Sequence, residues 1–377
     1  MKVINSIADL RELARRRVPR SIFEYVDGGS YDEITLRRNR ADFEAMRFRQ
    51  RVLVDVSRQD LTTTIAGAAA AMPLVLAPTG MCGLVRGNGE ILAARAAQER
   101  GIPFCLSTVS ICSIEDVRAA TTAPFWFQLY VMKDRGYTYE LIDRAEQAGC
   151  PVLMMTVDIP VGGLRRRDAK NGLAVPPRLT LRNALDIATK PVWLQSVLTA
   201  KRREFGNLAA AVARSGNQPF AQWVHSQFDA SVTWADIEAV RARWQGKLVI
   251  KGILDPEDAR RVVDLGADAL VVSNHGGRQL DGAPSTISAL PAVVEAVQGR
   301  CEVMLDSGIR CGQDILRALA LGASATLCGR AYLYGLGALG QQGVTAALDI
   351  MARELAVSLA LTGRNAARAA DRTLLLD

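Results

Sequence analysis

Residues 269–282 read ALVVSNHGGRQLDG. The first five residues form a short β-branched run of strand length, and two consecutive glycines, Gly276 and Gly277, end it abruptly. His275 and Arg278 are therefore predicted on a turn at the carboxyl end of a strand. An imidazole accepts a proton near neutral pH, and a guanidinium binds a carboxylate through two parallel hydrogen bonds. Such a turn suits an anionic substrate that loses a proton.

The order of strand, polar end and helix repeats along the chain from Pro73 onward. Eight short apolar runs are predicted as strands: 73–78, 103–108, 125–130, 151–158, 247–252, 269–274, 302–308 and 325–330. Strands that alternate with helices predict a parallel sheet, and eight is the number that closes a (β/α)8 barrel. We therefore predict an α/β fold: a single TIM barrel over 73–361, with an N-terminal helical cap over 1–72, a long insertion after the fourth strand, and a C-terminal tail over 362–377.

Polar side chains stand at the ends of all eight predicted strands. They are Thr79, Ser107, Gln128 with Tyr130, Thr156 with Asp158, Lys251, Ser273 with His275, Asp306, and Arg330. Barrel enzymes carry their active sites at this rim, so the pattern predicts an active site rather than ordinary loops. Gly308 and Arg310 follow the seventh strand, and Gly329 and Arg330 follow the eighth, where barrels often bind phosphate through backbone N–H groups. The alternative is that Gly308 and Gly329 only end their strands and bind no phosphate.

Composition limits the classes of function. The chain of 377 residues is 49% hydrophobic and 23% charged, which is typical of a folded soluble protein. Its net charge of +7 fits anionic ligands, an acidic membrane surface or nucleic acid. Nucleic acid is the weakest of these, because the sequence has no interleaved aromatic and basic residues that would bind it. Seven cysteines, odd in number and without a CxxC pair, indicate reduced core residues with neither metal nor disulfides. No signal peptide and no run of ~18 apolar residues is found, so we expect a protein inside the cell.

His275 has few competitors as a base, because His225 is the only other histidine. A solvated loop with an incidental histidine is the alternative for residues 269–282. The flanking glycines and the apolar run before His275 argue against it.

The spacing of the predicted strands is broken once, between residues 158 and 247, where about ninety residues intervene. Loops of that length are usually functional or disordered. The segment 175–232 holds seven basic residues against three acidic ones, and Trp193, Leu194 and Leu198 add apolar side chains nearby. A basic, partly amphipathic insertion fits contact with an anionic membrane surface. It also fits an active-site lid or a contact between subunits.

Eight motifs occur in order with the spacing of a barrel: APTGMCG, LSTVS, WFQLYV, TVDIPVGGLRRRD, VIKGIL, SNHGGRQLDG, DSGIR and CGR. Together they resemble the FMN-dependent L-2-hydroxy-acid oxidases and dehydrogenases, from the N-terminal helices to about Leu361. Within that family, SIFEYVDGGSYDEITLRRN, LSTVSICSIEDV and VIKGILDPEDARRVV are most similar to the bacterial respiratory L-lactate dehydrogenases. The mandelate dehydrogenases come next.

The resemblance implies a catalytic set. His275 corresponds to the family's base, and Asp158 to the aspartate that orients it and stabilises its protonated form. The residues that correspond to contacts with the substrate carboxylate and hydroxyl are Arg165, Arg278, Tyr25 and Tyr130, of which Tyr130 and Arg278 are also counted as catalytic. Val109 occupies a position where glycolate oxidases carry a bulky aromatic residue and mandelate dehydrogenases a smaller one.

The resemblance also implies FMN as the cofactor. The corresponding residues are Pro78, Thr79 and Gly80 beside the ring, Ser107, Gln128 and Thr156 at its polar edge, Lys251 near N1, Ser273 at the ribityl chain, and Asp306, Gly308, Arg310, Gly329 and Arg330 at the ribityl and phosphate groups. The chemistry agrees, since oxidation of a secondary alcohol needs an electron sink that no side chain provides. A GxGxxG sequence before a helix, which would indicate a nicotinamide site, is not among the motifs.

In the implied reaction, His275 takes a proton from the bound L-2-hydroxy acid and the flavin receives the electrons, as a hydride or after a carbanion; both routes stay open. The product is a 2-oxo acid. Gly80 stands where many oxidases of the family have alanine, which favours a quinone or another respiratory acceptor over oxygen. Val109 leaves room for more than a methyl group. Oxidation of L-lactate to pyruvate is the first expectation, and mandelate dehydrogenase or hydroxy-acid oxidase activity is the alternative.

Further expectations concern location and assembly. The acceptor and the basic insertion together predict a peripheral position on the cytoplasmic side of the inner membrane. A homotetramer is expected from the resemblance alone.

Two other classes compete with this interpretation. Another phosphate-binding barrel, such as an inosine-monophosphate-dehydrogenase-like enzyme or a flavin-dependent isomerase, is the first. The former of these needs a nucleophilic cysteine on a glycine-rich loop, whereas this chain has His275 and Arg278 at the corresponding strand end. A flavin-binding or scaffold protein without turnover is the second. It would be yellow, and no hydroxy acid would bleach it.

Overall fold

The computed structural model describes residues 3–172, 180–214 and 226–376. The N-terminal part begins with helices α1 (Ile7–Arg17), α2 (Arg20–Asp27) and α3 (Ile34–Ala45). The Ser6 side chain accepts a hydrogen bond from the Asp9 N–H and caps α1, and Pro19 directly precedes α2. The first part of the predicted cap is therefore helical.

The cap is not entirely helical, which corrects the prediction for residues 1–72. Strands β1 (Thr63–Ile65) and β2 (Ala68–Ala70) form an antiparallel hairpin. Its turn residues Ala66 and Gly67 both have positive φ, 49° and 82°, as a two-residue turn that matches the twist of a hairpin requires. Ile65, Ala66 and Ala70 are buried in one cluster with inward-facing residues of the barrel strands. The hairpin therefore packs against the inside of the barrel.

Eight parallel strands form the barrel: β3 (Leu74–Leu76), β4 (Cys105–Ser107), β5 (Trp126–Leu129), β6 (Val152–Thr156), β7 (Lys247–Ile253), β8 (Ala269–Val272), β9 (Glu302–Leu305) and β10 (Ala325–Cys328). Their order in the sheet is β3-β10-β9-β8-β7-β6-β5-β4. The two ends of this order meet at a parallel bridge between Leu76 and Phe104. All eight predicted strands are therefore present, each within the predicted run or one residue beyond it.

Helices surround the barrel: α4 (Cys82–Val85), α5 (Gly89–Glu99), α6 (Ile114–Ala120), α7 (Arg135–Gln147), α8 (Arg166–Lys170), α9 (Leu181–Ala188), α10 (Pro191–Leu198), α11 (Ala209–Arg214), α12 (Trp234–Arg243), α13 (Pro256–Asp264), α14 (Thr286–Val297), α15 (Gly312–Ala320), α16 (Arg330–Leu339) and α17 (Gln341–Leu361). Apolar side chains between strands and helices form one large core, and those inside the barrel form a second. Parallel strands that are buried on both faces of the sheet are expected in such a fold.

The chain does contain one GxGxxG sequence, GLGALG at 335–340, which the sequence interpretation overlooked. It does not follow a strand; its first five residues lie inside α16. A Cβ on Gly335 would lie 2.2 Å from the carbonyl oxygen of Gly343, so the glycine allows α16 and α17 to pack closely. The sequence is a packing feature here and not a dinucleotide-binding turn.

The predicted insertion 175–232 is described over 180–214 and 226–232; residues 175–179 and 215–225, including His225, lie outside the described residues. Helices α9, α10 and α11 rest on the barrel rather than extending from it. The Trp193 indole N–H donates to the carbonyl of Leu84 over 2.7 Å, and the buried Asn207 accepts from Ile114 N–H over 2.9 Å. The segment is thus docked through specific polar contacts.

After α17 the chain forms two 3₁₀ turns, Ala367–Ala369 and Arg372–Leu374. Leu375 pairs with Phe48, which ties the C-terminal residues to the stretch that follows α3. None of the helices within the described ranges is long and apolar enough to cross a membrane.

Candidate active site

His275 follows β8 on a turn and bonds to Asp158, which follows β6. Nδ1 of His275 lies 3.0 Å from Oδ1 of Asp158. Burial alone would raise the pKa of the Asp158 carboxyl, but His275 and Lys251 outweigh it and hold that pKa below its usual value. Asp158 is therefore a carboxylate that accepts a hydrogen bond from Nδ1–H of His275 and orients the ring, which leaves Nε2 as the ring nitrogen that does not bond to Asp158.

Two guanidinium groups and one phenol converge opposite this pair. Arg278 lies 4.7 Å from the centre of the Tyr25 ring, and Arg165 lies 5.8 Å from it. Nη1 of Arg278 donates to the carbonyl oxygens of Tyr25 and Gly28 over 2.5 and 3.0 Å. Burial and the neighbouring Arg165 lower the pKa of Arg278, which indicates crowded positive charge. An anionic ligand between the two arginines would relieve that repulsion.

Arg165 is held by a partner that the sequence interpretation did not name. Its Nε donates to Oδ2 of Asp168 over 2.6 Å, and Asp168 is buried at the start of α8. Burial would lower the pKa of Arg165, but Tyr25 and Asp168 raise it above its usual value. The spacing i, i+3 in RRRD was the available signal for this pair.

Tyr130 and Val109 form another wall of the same cavity. Burial, together with Asp158 and Tyr25, raises the pKa of Tyr130 well above its usual value, so its phenol stays protonated and able to donate. The ring packs edge-on against Phe228, with ring centres 5.5 Å apart. Phe228 comes from the far end of the insertion and was missed, because no periodic pattern marks it. The insertion therefore contributes to the lining of the cavity.

A buried network joins Lys251, Ser273 and Asp306 at the ends of β7, β8 and β9. The Lys251 ammonium donates to Oγ of Ser273 over 2.9 Å and lies 3.1 Å from Oδ2 of Asp306. Burial would lower the pKa of Lys251, but Asp306 and Asp158 raise it above its usual value. The lysine therefore remains cationic inside the barrel mouth.

Two polar atoms at the ends of β5 and β6 are buried without a partner. They are Nε2 of Gln128 and Oγ1 of Thr156, within the part of the chain that the structure describes. Oε1 of Gln128 accepts from the Ser107 hydroxyl over 3.1 Å, so the amide is oriented with its donor turned away from Ser107. Buried polar groups are almost always bonded. These two atoms indicate a polar ligand at this rim.

Gly308, Arg310, Gly329 and Arg330 lie together after β9 and β10, and α16 begins at Arg330. Burial and then the nearby Arg310 and Arg278 lower the pKa of Arg330 to about 9. The first turn of α16 adds the positive end of a helix dipole. The combination suits a phosphate group, as the barrel geometry predicted.

One cavity of about 730 Å³, within the usual range for cofactor and ligand sites, connects these groups. The predicted site residues that line it are Tyr25, Pro78, Thr79, Gly80, Val109, Tyr130, Arg165, Lys251, His275, Arg278, Asp306, Gly308, Arg310, Gly329 and Arg330. The other predicted residues, Ser107, Gln128, Thr156, Asp158 and Ser273, lie behind this lining at the same strand ends. The residues that the sequence did not bring forward include Lys133, Phe228 and Ser307.

A family model described as FMN-dependent dehydrogenase matches residues 14–377. This chain belongs to the FMN-dependent dehydrogenase family. The L-lactate dehydrogenase of Caulobacter vibrioides (strain NA1000 / CB15N) is 48% identical over 100% of this chain and 98% of its own length. That of Actinobacillus pleuropneumoniae serotype 5b is 48% identical over 100% and 99%. A solved structure of the monotopic membrane protein (S)-mandelate dehydrogenase is 36% identical, covers 100% of both chains and has a TM-score of 0.94.

As a member of this family, the chain is an FMN-dependent enzyme, which excludes the non-flavin barrels considered from the sequence. The residues present fit the cofactor. Gln128 and Thr156 offer the unpartnered buried donors that a flavin's polar edge needs, and Lys251 offers a cation beside them. Arg330 at the N-terminus of α16, with the nearby Arg310, suits its phosphate.

Proposed function

We propose that this FMN-dependent dehydrogenase oxidises an L-2-hydroxy acid to the 2-oxo acid, and that L-lactate is its substrate. The observation that carries the proposal is that His275, bonded to Asp158, faces Arg165 and Arg278 in one cavity. A base and a carboxylate-binding pair are the two groups that a hydroxy acid requires.

The substrate carboxylate binds to Arg165 and Arg278, which are anchored by Asp168 and by the Tyr25 carbonyl. Anchoring leaves each guanidinium with further N–H groups for a bidentate contact. The phenols of Tyr25 and Tyr130 lie beside the same arginines and donate to the carboxylate and the substrate hydroxyl. Tyr130 serves as a donor because its pKa is raised well above neutral.

His275 takes a substrate proton on Nε2, because Asp158 holds the other ring nitrogen as Nδ1–H. The imidazolium that forms is stabilised by the same carboxylate. Asp158 is poised for this because its pKa stays below its usual value despite burial. Phe228 and Val109 narrow the cavity around the substrate side chain and exclude water from the reacting groups.

When bound, FMN supplies the two-electron acceptor that the side chains lack. The residues that would hold it are Pro78, Thr79 and Gly80, Ser107, Gln128 and Thr156, Lys251, Ser273, Asp306, Gly308, Arg310, Gly329 and Arg330. Lys251 would stabilise negative charge at the flavin's polar edge, and Arg310 with Arg330 would neutralise the phosphate.

L-lactate is the proposed substrate because relatives at 48% identity over the whole chain bear the name L-lactate dehydrogenase. Mandelate is the second candidate, since the mandelate dehydrogenase structure matches with a TM-score of 0.94 and Val109 leaves space beyond a methyl group. The electron acceptor we propose is a quinone, in keeping with Gly80 and with a peripheral membrane position. Exposed apolar side chains on α9 and α10, Leu181, Leu185, Val192 and Leu198, support a peripheral position, and the cytoplasmic side of the membrane stays a prediction. A homotetramer stays a prediction.

The test is anaerobic. The visible spectrum of the purified holoenzyme is recorded, L-lactate, D-lactate and L-mandelate are added in turn, and air or a soluble quinone is then admitted. We expect L-lactate to bleach the flavin fastest, with slow recovery in air and fast recovery with quinone. Faster bleaching by L-mandelate would favour the second candidate, and fast recovery in air would make the enzyme an oxidase. A flavin that no hydroxy acid bleaches would overturn the proposal.

A further inference from the structure

A reciprocal amide pair joins the N-terminal cap to the turn that carries His275. Nδ2 of Asn39 donates to Oδ1 of Asn274, and Nδ2 of Asn274 donates to Oδ1 of Asn39, both over 2.8 Å. Asn39 is 1% exposed and Asn274 is 6% exposed. A buried, fully satisfied polar pair has one arrangement, because any shift leaves polar atoms without partners. The pair therefore fixes α3 and the turn relative to one another.

The turn needs such a restraint. His275 has φ of +57°, in the left-handed region that non-glycine residues rarely adopt, and Gly276 and Gly277 have φ of +69° and +71°. A conformation of this kind persists only where the surroundings impose it. Gly277 N–H donates both to the Asn274 carbonyl and to Oδ1 of Asn274, each over 3.0 Å, so the amide oxygen that receives the contact from Asn39 also helps to close the turn around His275.

We propose that Asn39 is a positioning residue for His275. It acts through Asn274: its amide holds the Asn274 side chain in the orientation that closes the turn, and the turn aims His275 at Asp158 and the cavity. The inference rests on the proposed function only in treating His275 as the base. Its new content is that a residue of the cap, 235 positions from Asn274 in the sequence, sets the placement of that base.

The other contacts of the pair are consistent with this role. Asn39 Oδ1 also accepts from Thr286 N–H over 3.3 Å, and Asn274 Nδ2 also donates to the Pro284 carbonyl over 3.0 Å. Loss of the Asn39 amide would leave Oδ1 of Asn274 with Gly277 alone. The Asn274 side chain could then rotate toward Pro284, and the turn would lose its link to α3.

Thr35 provides a matched control on the same helix. It is fully buried, lies one turn before Asn39, and bonds to the far end of the same loop. Its hydroxyl accepts from Gly282 N–H over 2.9 Å and donates to the Ala283 carbonyl over 3.2 Å. Thr35→Val therefore weakens the docking of α3 on the loop without touching Asn274. A general loss of docking would affect both variants, whereas a positioning role belongs to Asn39 alone.

The experiment compares Asn39→Ala, Asn39→Ser, Thr35→Val and His275→Gln as FMN-loaded enzymes. The first readout is the limiting rate of flavin reduction by L-lactate and the apparent dissociation constant from the same titration. Displacement of a catalytic group by about 1 Å costs on the order of 10²-fold in rate. We expect Asn39→Ala to reduce about 10- to 100-fold more slowly, with the dissociation constant changed less than about 3-fold and Thr35→Val within about 2-fold of the parent.

The second readout needs no turnover. The chain has two histidines, so protein labelled with ¹⁵N in histidine gives the ring-nitrogen signals of two imidazoles, and His225→Gln assigns them. We expect the Nδ1–H signal of His275 to exchange with solvent much faster in Asn39→Ala than in the parent, while the His225 signal stays unchanged. Thr35→Val should leave both signals as they are.

The outcomes separate this inference from the proposed function. If His275→Gln is reduced normally, His275 is not the base and the proposed function fails, whatever Asn39 does. If His275→Gln is inactive but Asn39→Ala matches the parent in rate and in the His275 signal, the positioning role is overturned. An equal loss in Thr35→Val would likewise overturn it. Should Asn39→Ala not fold with FMN, Asn39→Ser, which keeps a hydroxyl in place, gives the same comparison.

Discussion

A methyl group placed on Gly80 would lie 2.7 Å from Cγ2 of Val109. The two residues follow neighbouring barrel strands, and the Met81 N–H donates to the Val109 carbonyl over 3.0 Å. Because this hydrogen bond joins the two backbone segments, they cannot easily move apart. From the sequence, Gly80 was related to the choice of electron acceptor, and Val109 to the size of the substrate. In the structure they occupy one shared space, so we expect a change at either position to affect both properties.

Gly80→Ala should therefore act through Val109. Overpacking of this kind typically costs about 1–3 kcal/mol, so we expect a lower Tm and a weaker apparent affinity for L-lactate. The double variant Gly80→Ala/Val109→Ala should recover most of both losses, because the smaller side chain makes room for the methyl group. Thermal unfolding and flavin-reduction titrations on the two single variants and the double variant form the cycle. Strictly additive effects would show that the two positions are independent.

His275→Gln tests the base. Glutamine keeps a polar side chain of comparable length but accepts no proton near neutral pH, so flavin binding should be retained while reduction by L-lactate falls about 10²–10⁴-fold. FMN content from the visible spectrum and anaerobic stopped-flow reduction give the two quantities. Reduction at the parental rate would remove His275 from the mechanism.

Arg278→Met and Arg165→Met should mainly weaken substrate binding. A hydrogen bond to a charged group contributes about 1.5–3 kcal/mol, which corresponds to an apparent affinity about 10- to 150-fold lower. Arg278→Met should also lower Tm, because Arg278 holds the carbonyls of Tyr25 and Gly28. Arg166→Met is the matched control, since the exposed Arg166 pairs with Asp32 outside the cavity. An unchanged affinity in Arg278→Met would count against its role at the carboxylate.

Much of this site could be predicted from the sequence because parallel barrel strands bring their carboxyl ends to one rim. Asp158 and His275 are 117 positions apart, yet each follows a strand by a few residues, which predicts that both lie at this rim, and the family resemblance implied their pairing. The strands themselves were recognisable as short apolar runs; Leu74, Val75 and Leu76, for example, are fully buried.

Other features have no signature that a single sequence can carry. The hairpin at 63–70 is short and rich in alanine, which is depleted in strands, so its pairing depends on the barrel that it packs against. The Asn39 and Asn274 amides meet only through tertiary packing, and no periodicity marks either residue. Phe228 reaches the cavity because Met132 pairs with it at the end of the insertion, a contact that could not be inferred from spacing.

Because of Asp158, the free energy of unfolding of the enzyme should depend on pH in the acid range. A carboxyl whose pKa is lower in the folded protein than in the unfolded chain stabilises the fold above the unfolded value, about 3.9, and loses that contribution as pH falls through the folded value. The difference in unfolding free energy between parent and Asp158→Asn should therefore change in favour of the variant as pH falls below about 4. Urea unfolding of both proteins at several pH values below about 5 measures it, and a difference that does not change in this range would contradict the assignment.

The exposed leucines of α9 should carry membrane contact. Leu181 and Leu185 lie one turn apart and are 79% and 61% exposed. Burial of each leucine contributes about 1.5–3 kcal/mol, so Leu181→Ser/Leu185→Ser should lower partition onto vesicles of anionic phospholipid by at least about 100-fold. Turnover with a soluble quinone should be unchanged, because neither side chain lines the cavity. Val357→Ser/Leu361→Ser, a similarly exposed pair on α17, is the control and should bind vesicles like the parent. Equal loss in both variants would mean that general surface hydrophobicity, and not the insertion, governs attachment.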